Sequence, residues 1–328
     1  MNMDVLKQKI LSMVKDDLAD IETALKQNLS PQFDLVSRVA NHILFSGGKR
    51  LRPLIMILAA RICGYNGNNI KTFSTIFEYM HSATLLHDDI VDDAVLRRGK
   101  AVAHSIWSNP IAVLVGDFLF ARASSIAVET GDLKVLKIMA EVLENMSQGE
   151  IHQLIRKGNL DLSEDEYLEV IRRKTAILFQ GASRVGALIA KATEDQEKAL
   201  AEYGFNLGIA FQMADDLLDY TSDTTVLGKE VGADLKEGKV TLPVIYSLKK
   251  ATSQDRVQME RIIKNKEFTV HDFEMLIKML KKHEGITYTN KRAAEYVANA
   301  KNALLVFRPS KTREILLNIA DYALVRKA

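Results

Sequence analysis

Two short groups of aspartates have the residue types and the spacing that chemistry would need. The first group lies in LLHDDIVDDAVLRRG and the second in FQMADDLLDY; their members are Asp88, Asp89 and Asp92, and Asp215, Asp216 and Asp219. Each group has the pattern DDxxD and follows an apolar stretch with helical spacing. The first and last aspartates of a group are four residues apart, so they share one face of a helix.

Neighbouring carboxylates on one helical face repel each other unless a cation neutralises them. Mg²⁺ prefers oxygen ligands and commonly bridges one or two protein carboxylates to substrate phosphates. Two such rows facing each other across a cavity could hold several Mg²⁺ ions and a diphosphate. The ions would stabilise the charge that develops as a carbon–oxygen bond breaks. The alternative is that each group is a solvated acidic helix end.

Basic residues form a third candidate group, which follows two glycines in SGGKRLRP. Lys49, Arg50 and Arg52 concentrate positive charge just before a predicted helix. A diphosphate would bind there, and a loop of solvated cations is the alternative. His81 precedes Asp88 by seven residues, or two helical turns, so it lies on the same face as the first acidic row. This spacing favours a role for His81 in the site.

The rest of the sequence predicts helices that could position these groups. Only five prolines interrupt the 328 residues, which leaves long stretches compatible with helix. Helical periodicity is present from 72 to 93, and it recurs in the ranges 133 to 148, 164 to 192, 197 to 220 and 289 to 307. No run of alternating β-branched residues predicts a sheet, and no break resembles an interdomain linker. We expect an all-α fold and a single domain over residues 1–328.

Composition excludes several classes of function. Hydrophobic residues make up 47% and charged residues 26% of the chain, values typical of globular proteins. The formal net charge of +2 is too small to indicate a nucleic-acid partner. We expect no transmembrane segment, because we find no run of about 20 apolar residues. The charged amino terminus argues against a signal peptide, and the single cysteine, Cys63, fits a reducing cytosol, so we expect a cytoplasmic protein.

The order and spacing of these motifs resemble the trans-type polyprenyl diphosphate synthases, most closely the long-chain octaprenyl and heptaprenyl diphosphate synthases. The blocks that carry the resemblance are GGKRLRP (47–53), HDDIVDDAVLRRG (87–99), GD (116–117), RRKTA (172–176), FQMADDLLDY (211–220), GKEVGADLKEGKVTLP (228–243) and GITYT (285–289). The resemblance implies an isoprenoid synthase fold, one large helical bundle with a central cavity. It also implies a Mg²⁺-dependent prenyltransferase that condenses isopentenyl diphosphate with an allylic diphosphate, farnesyl or geranylgeranyl diphosphate.

The resemblance assigns roles to individual residues of this sequence. The expected ligands of isopentenyl diphosphate are Lys49, Arg52, His81 and Arg98. Those of the allylic diphosphate are Arg97, Lys174, Lys229 and Lys239. The expected Mg²⁺ ligands are the aspartates at 88, 89, 92, 215, 216 and 219. With Lys174, we expect Thr175 and Gln212 to be catalytic, because neutral dipoles stabilise a carbocation without trapping it. The alternative for this polar pair is that its members only hydrogen-bond to each other.

Ala83 and Thr84 are the residues expected to influence product length. They lie five and four residues before Asp88, about 6 to 7.5 Å back along the helix axis. In the resembling family an aromatic residue here blocks the product tunnel, so these small residues imply a long-chain all-trans product. A homodimer and transient membrane contact during product release are further expectations from the resemblance.

Three other functions stay open from the sequence. One is a short-chain synthase that makes geranylgeranyl or farnesyl diphosphate. Another is a class I terpene cyclase, which shares the helical fold but would not need the GGKRLR loop. The third is a non-catalytic subunit of a heteromeric synthase, which would tend to lose an acidic motif or the basic loops. The intact second DDLLD and the intact basic loop favour the catalytic synthase over the last two.

Overall fold

The computed structural model describes residues 3–221, 232–265 and 267–325. Helices dominate it, and their bounds are α1 Met3–Leu29, α2 Asp34–Leu44, α3 Leu51–Ile62, α4 Ile70–Val91, α5 Ala103–Trp107, α6 Asn109–Glu129, α7 Leu133–Leu154, α8 Glu164–Ile171, α9 Ile177–Ile189, α10 Glu194–Thr221, α11 Ala233–Lys236, α12 Leu242–Lys250, α13 Ser253–Lys264, α14 Val270–Lys282, α15 Gly285–Ala303 and α16 Lys311–Val325. A π-helical turn, Arg172–Ala176, joins α8 to α9, and a 3₁₀ turn, Leu304–Val306, follows α15. The prediction of an all-α fold is confirmed.

The chain divides into two compact units, each assembled from several segments. Unit 1 contains Met1–Val142, Leu178–Gly204 and Ala303–Asn318, and unit 2 contains Leu143–Ile177, Phe205–Asn302 and Ile319–Ala328. The first acidic motif and the GGKRLRP loop belong to unit 1. The second acidic motif and the RRKTA segment belong to unit 2. The expectation of one domain over residues 1–328 stays a prediction.

Helix α4 is the central element of unit 1 and packs against α1, α3 and α6. Its apolar residues recur at helical spacing, and Phe73, Ile76, Phe77 and Met80 are buried. Burial of such side chains contributes about 25 cal/mol per Å² of apolar surface removed from water, which is enough to fix the helix in place. The helix stops at the acidic motif, where Asp93 takes a left-handed conformation with a φ of 49°.

The core of unit 2 lies around helices α8, α10, α12 and α14. Tyr167, Met213, Leu242 and Leu276 are among its buried members. Helix α8 begins with a capping box. The Ser163 side chain accepts from the backbone N–H of Glu166, and the Glu166 side chain accepts from the backbone N–H of Ser163. This cap satisfies two backbone groups at the start of α8 and so fixes the turn that carries Tyr167.

A small β-hairpin was not predicted from the sequence. Strands β1 (Leu96–Arg97) and β2 (Lys100–Ala101) pair antiparallel, with Leu96 opposite Ala101. The two central residues of the turn, Arg98 and Gly99, both have positive φ, 52° and 74°. Two-residue hairpins favour turns with positive φ because the turn then matches the twist of the strands. Strands of two residues are too short for a recognisable alternating pattern.

Helix α6 is the one helix among the described residues that is long and apolar enough, by length and composition alone, to cross a membrane. Buried residues make up 39% of its apolar stretch. Asp117 and Arg122 interrupt the apolar residues of this helix, so it contains no unbroken run of about 20 of them. The core helix of a soluble protein can meet the same criteria, so the expectation of no transmembrane segment stays a prediction.

The close approach of α4 and α6 explains the glycine of the GD block. The ring of His87 lies against α6, and its Nε2 is 3.1 Å from the carbonyl oxygen of Val113 and 3.6 Å from Oδ1 of Asp117. A Cβ atom at position 116 would lie 2.2 Å from the same Nε2. Gly116 therefore leaves the space in which His87 packs, next to the first aspartate of the acidic motif.

We expect Gly116→Ala to lower the stability of the protein. Because the added methyl group would overlap the His87 ring, either the ring or α6 must shift, and overpacking of this kind costs about 1–3 kcal/mol. Thermal unfolding followed by circular dichroism measures the loss. Ser125→Ala, on the exposed face of α6, is the control and should leave the melting temperature nearly unchanged. Equal melting temperatures for the two variants would contradict the tight contact.

Candidate active site

The first acidic motif lies at the C-terminal end of α4. Asp88 belongs to the last turn, and Asp92 caps the helix by donating its backbone N–H to the Asp88 carbonyl oxygen at 2.8 Å. Both side chains are partly exposed. Carboxylates at a helix C-terminus are unfavourable because the macrodipole is negative there. A divalent cation beside both carboxylates would therefore be stabilised by their combined charge.

Asp89, the middle aspartate of the motif, has a different environment. It is 2% exposed. Its carboxylate accepts from Nε of Arg97 at 2.8 and 3.0 Å, and Nη2 of the same arginine lies at 2.6 Å. Such a bidentate pair holds the planar guanidinium in one orientation. Asp89 thus anchors Arg97, and its assignment as a Mg²⁺ ligand stays a prediction.

The hairpin brings Arg97 and Arg98 back toward α2 and the glycine loop. Nε2 of His42 donates to the carbonyl oxygen of Ala101 at 2.8 Å and ties the hairpin to α2. Nη1 of Arg98 would lie 3.2 Å from a Cβ atom built on Gly48. Of the residues predicted to bind isopentenyl diphosphate, the structure therefore brings Arg98 to the loop that carries Lys49.

His81 lies within a concentration of positive charge. Burial holds the pKa of its imidazole well below the usual value, and nearby guanidinium groups lower it further; these belong to Arg52, Arg97, Arg98 and Arg50. The ring is therefore neutral at physiological pH, because a further positive charge there would be repelled. A group of cations beside a neutral ring that can hydrogen-bond is suited to bind an anion.

The remaining predicted ligands of unit 1 surround the start of α3. Lys49 is exposed in the glycine loop, and Arg52 is half-buried with its guanidinium 4.8 Å from the ring centre of Phe179. Stacking on an aromatic ring is favourable for guanidinium and restricts its orientation.

Ala83 and Thr84 lie one turn or slightly more before the first motif. Ala83 is completely buried, whereas Thr84 is partly exposed and donates its hydroxyl to the carbonyl oxygen of His81 at 2.8 Å. Thr84 is thus the more accessible of the two, and the role of both in product length stays a prediction.

The second acidic motif lies in the last two turns of α10, in unit 2. Asp215 is exposed and Asp219 is half-buried. Oδ2 of Asp219 accepts from the backbone N–H of Asp234 at 3.3 Å. This contact connects the motif to the segment that follows residues 222–231.

Asp216, the middle aspartate of the second motif, is 4% exposed. It accepts from the Tyr167 hydroxyl at 2.6 Å and from Nε2 of Gln212 at 2.8 Å. Burial, together with the negative charge of Asp234, raises the pKa of Asp216 to about 8, although the two hydrogen bonds oppose this shift. The carboxyl group is therefore held by neutral donors inside the unit, and the assignment of Asp216 as a Mg²⁺ ligand stays a prediction.

Lys174 and Thr175 lie on the π-helical turn. Two glycines allow it to pack closely: a Cβ on Gly149 would lie 2.8 Å from Cβ of Arg173, and a Cβ on Gly208 would lie 2.5 Å from Cα of Ala176. Short π-helical segments are rare and recur at functional sites. Sequence periodicity alone predicts an uninterrupted helix here.

A chain of hydrogen bonds runs from the π-helical turn to the second motif. The Thr175 hydroxyl donates to Oε1 of Gln212 at 2.8 Å, and the amide of Gln212 donates in turn to Asp216. Thr175 and Gln212 therefore hydrogen-bond to each other, as expected if the pair has a structural role. The same contacts orient both dipoles, so their catalytic role stays a prediction.

A cavity of about 140 Å³ opens beside these residues in unit 2. Predicted site residues that line it are Lys174, Thr175, Gln212, Asp216 and Lys239. Lys174 forms an ion pair with Glu150, and Lys239 forms one with Glu237. Lys229, a predicted ligand of the allylic diphosphate, lies outside the described residues.

Sequence analysis missed three charged residues of this cavity. Arg156, Lys157 and Asp234 also line it. The backbone N–H of Gly158 donates to the carbonyl oxygen of Gly238 at 2.8 Å, which brings the RKG segment next to the loop with Lys239. The basic pair in RKGNLDLS could have been recognised as a candidate, but its partner segment lies far away in the sequence.

No group of three or more His, Cys, Asp or Glu side chains is gathered to hold a metal ion within the described parts of the chain. Mg²⁺ does not require such a cage, because it usually takes one or two carboxylates and completes its coordination with waters and substrate phosphates. Asp88 with Asp92, and Asp215 in the other unit, offer accessible oxygen ligands of this kind.

Comparison with known proteins places this architecture among synthases of polyprenyl chains. Residues 33–280 match the family model described as polyprenyl synthetase. Octaprenyl diphosphate synthase from Escherichia coli (strain K12) is 39% identical over 319 residues, which cover 97% of this chain and 98% of that protein. Heptaprenyl diphosphate synthase component 2 from Bacillus subtilis (strain 168) is 35% identical over 316 residues, with 96% and 90% covered.

A solved structure agrees with the sequence matches. The polyprenyl synthase from Caulobacter crescentus CB15, complexed with calcium and isoprenyl diphosphate, is 40% identical to this chain; the superposition has a TM-score of 0.92 and covers 98% of each chain. These matches confirm the predicted prenyltransferase and give no support to the terpene cyclase alternative. On its sequence, its helical fold and its two acidic motifs, the chain belongs to the polyprenyl synthetase family, and it is a trans-prenyltransferase.

Proposed function

We propose that this enzyme condenses isopentenyl diphosphate with an allylic diphosphate and releases a long-chain all-trans polyprenyl diphosphate. The observation that carries the proposal is the cluster of guanidinium groups near His81, which is on the same helix as Asp88 and two turns before it. A diphosphate bound at the cationic cluster would lie near carboxylates that can hold a metal-bound diphosphate. Such an arrangement suits two diphosphate substrates. One would bind the guanidinium groups directly, and the other would bind the carboxylates through a metal ion.

Mg²⁺ is the proposed cofactor, with Asp88, Asp92 and Asp215 as its most accessible ligands. Calcium was found with isoprenyl diphosphate in the Caulobacter crescentus synthase. Ca²⁺ and Mg²⁺ are both hard cations that take oxygen ligands, so the same carboxylates suit either ion. Bound between carboxylates and diphosphate, the metal would supply charge that stabilises the leaving group. We propose Asp89, Asp216 and Asp219 as further Mg²⁺ ligands of the two acidic motifs.

The residues of each unit have distinct proposed tasks in the reaction. Isopentenyl diphosphate is held by Lys49, Arg52, His81 and Arg98. The allylic diphosphate is held by Arg97, Lys174, Lys229 and Lys239. Loss of diphosphate leaves an allylic cation, which the dipoles of Thr175 and Gln212 stabilise. The double bond of isopentenyl diphosphate then attacks the cation, and the departed diphosphate accepts the proton released as the new double bond forms.

The protein is proposed to act as a catalytic homodimer in a reducing cytosol, where Cys63 stays a thiol. Exposed apolar side chains in unit 1 support self-association; they include Val113 and Leu114 on α6 and Leu133 at the start of α7. The Bacillus subtilis relative is named as one component of a synthase, so a partner subunit is the alternative. The basic loop and both acidic motifs argue for activity of this chain alone. We propose only transient membrane contact, during product release.

We expect Asp88→Ala and Asp215→Ala each to lower kcat by orders of magnitude while helicity is retained. The assay uses the purified chain alone with Mg²⁺, farnesyl diphosphate and radiolabelled isopentenyl diphosphate. If both aspartates act on one diphosphate, the double variant should be little worse than either single variant, because residues that act as a unit are not additive. Asp195→Ala, exposed at the other end of α10, is the control. Near-normal activity in both single variants would defeat the proposal.

We expect Ala83→Phe to shorten the product, because a bulky ring would block the path of the growing chain. Ala83 is completely buried, so Thr84→Phe, at the partly exposed neighbour, is the companion variant. Reversed-phase chromatography of the dephosphorylated products measures chain length. If both variants fold and both give the product of the unsubstituted enzyme, the tunnel does not run past these residues.

We expect Tyr167→Phe to reduce turnover and stability together. The change removes one of the two donors to the buried Asp216 carboxyl group, and an unsatisfied buried acceptor costs about 1–3 kcal/mol. Because Gln212 bonds to the same carboxylate, its amide should lose its orientation as well. Steady-state kinetics and thermal unfolding measure the two effects. Tyr288→Phe, which loses a 2.7 Å bond to Glu164 in the same unit, is the matched control and should retain turnover; equal kcat values for the two variants would contradict this reasoning.

A further inference from the structure

Arg50 lies between two proposed diphosphate ligands in the sequence, yet its side chain is inside the protein. It is 6% exposed, whereas Lys49 is exposed and Arg52 half-buried. Arg50 immediately precedes α3, and its backbone has the left-handed conformation with a φ of 49°. Residues other than glycine seldom adopt this conformation, and they keep it only where the surroundings enforce it.

Three acceptors on separate parts of unit 1 hold the Arg50 guanidinium. Nε donates to Glu22 on α1 at 2.7 Å, Nη1 to Glu78 on α4 at 2.8 Å, and Nη2 to the carbonyl oxygen of Leu44 at the end of α2 at 2.5 Å. All three nitrogens of the planar group are thus engaged. Lysine has no such fork and could not reach three acceptors in these directions.

The guanidinium charge of Arg50 is compensated within this network. Burial lowers the pKa of Arg50, but the hydrogen bonds and charges of Glu22 and Glu78 outweigh burial and raise it overall. Glu78 is itself 5% exposed. A buried ion pair that loses one partner leaves the other charge uncompensated, which is strongly unfavourable. The network therefore keeps its geometry as long as all its members are present.

The network connects the glycine loop to the helix that bears the site. Glu78 precedes His81 by three residues, so the two lie on neighbouring positions of α4. Nη1 of Arg50 would lie 3.3 Å from a Cβ atom on Gly48, next to Nη1 of Arg98 at 3.2 Å. The backbone of the loop is thus held against α4 about one turn before His81.

We propose that Arg50 is a positioning residue: the ion pairs from Arg50 to Glu22 and Glu78 fix the glycine loop against α4, so that Lys49 and Arg52 meet the diphosphate of isopentenyl diphosphate together with His81. This inference rests on the proposed function, because it concerns the same binding site. It assigns the middle cation of the GGKRLR block to the scaffold and its two neighbours to the substrate.

Glu78→Gln is the direct test, because the substitution preserves shape and removes the charge that holds Arg50. We expect the KM for isopentenyl diphosphate to rise about tenfold or more, since small displacements of binding groups are costly. The KM for the allylic diphosphate should stay within about twofold and kcat should change little, because an interaction made equally in ground and transition states affects KM alone. Glu22→Gln, at a more exposed position, should give a smaller change of the same kind.

Asp17→Asn is the matched control. Asp17 on α1 pairs with Arg61 on α3 through two contacts of 2.9 and 2.6 Å, so the variant breaks a bidentate ion pair within unit 1 away from the loop. It should lower the melting temperature without changing either KM. Equal changes of KM in Glu78→Gln and Asp17→Asn would overturn the inference, since the effect would then be one of stability alone.

Lys49→Ala separates this inference from the proposed function. If Lys49→Ala raises the KM for isopentenyl diphosphate and the glutamine variants at positions 22 and 78 do not, the positioning role is wrong and the binding site stands. If Lys49→Ala leaves that KM unchanged, the site assignment and the positioning role both fall. In the double variant Lys49→Ala/Glu78→Gln, an increase in KM smaller than the product of the single effects supports action through Lys49. If Glu78→Gln does not fold, the KM of Glu22→Gln for isopentenyl diphosphate tests the positioning role.

Discussion

Repulsion between like charges is the constraint on which the site in unit 1 depends. Four guanidinium groups lower the pKa of His81, and they belong to Arg50, Arg52, Arg97 and Arg98. Such groups would separate unless something held them. Two buried carboxylates hold two of the four, because Asp89 binds Arg97 and Glu78 binds Arg50. Both carboxylates are on α4, so the helix that bears His81 also supplies the charges that keep the cations beside it.

In both acidic motifs the first aspartate is accessible and the second is buried. The first aspartates, Asp88 and Asp215, are accessible, whereas the second ones, Asp89 and Asp216, are buried and fully engaged by donors. Helical geometry explains the division, because consecutive residues point about 100° apart and cannot share a face. The first and last positions of DDxxD can therefore turn toward a ligand only if the second turns toward the protein. In each unit that second carboxylate orients another proposed site residue, Arg97 in unit 1 and Gln212 in unit 2.

Local patterns predicted the helices and both motifs, because apolar spacing and charge type are visible within a few residues. The π-helical turn at Arg172–Ala176 was not predictable in this way: it packs on Gly149 and Gly208, which are distant in the sequence. The same applies to the partner of Asp216, since Tyr167 is 49 residues away. Arg50 shows most clearly what local patterns do not predict. Charge density alone groups it with Lys49 and Arg52, and only its contacts with Glu22 and Glu78 indicate a different role.

The proposed ligands of the allylic diphosphate in unit 2 already have carboxylate partners. Lys174 pairs with Glu150, and Lys239 pairs with Glu237. A diphosphate that binds there would therefore compete with a carboxylate at each lysine. The competition favours a ligand with several negative charges, since Coulomb attraction grows with charge at a given distance. A ligand with one carboxylate carries the same charge as the glutamate, so this attraction would not favour it over the glutamate. At these proposed ligands, selectivity for diphosphate would follow from the difference in charge between the diphosphate and the glutamate that already pairs with each lysine.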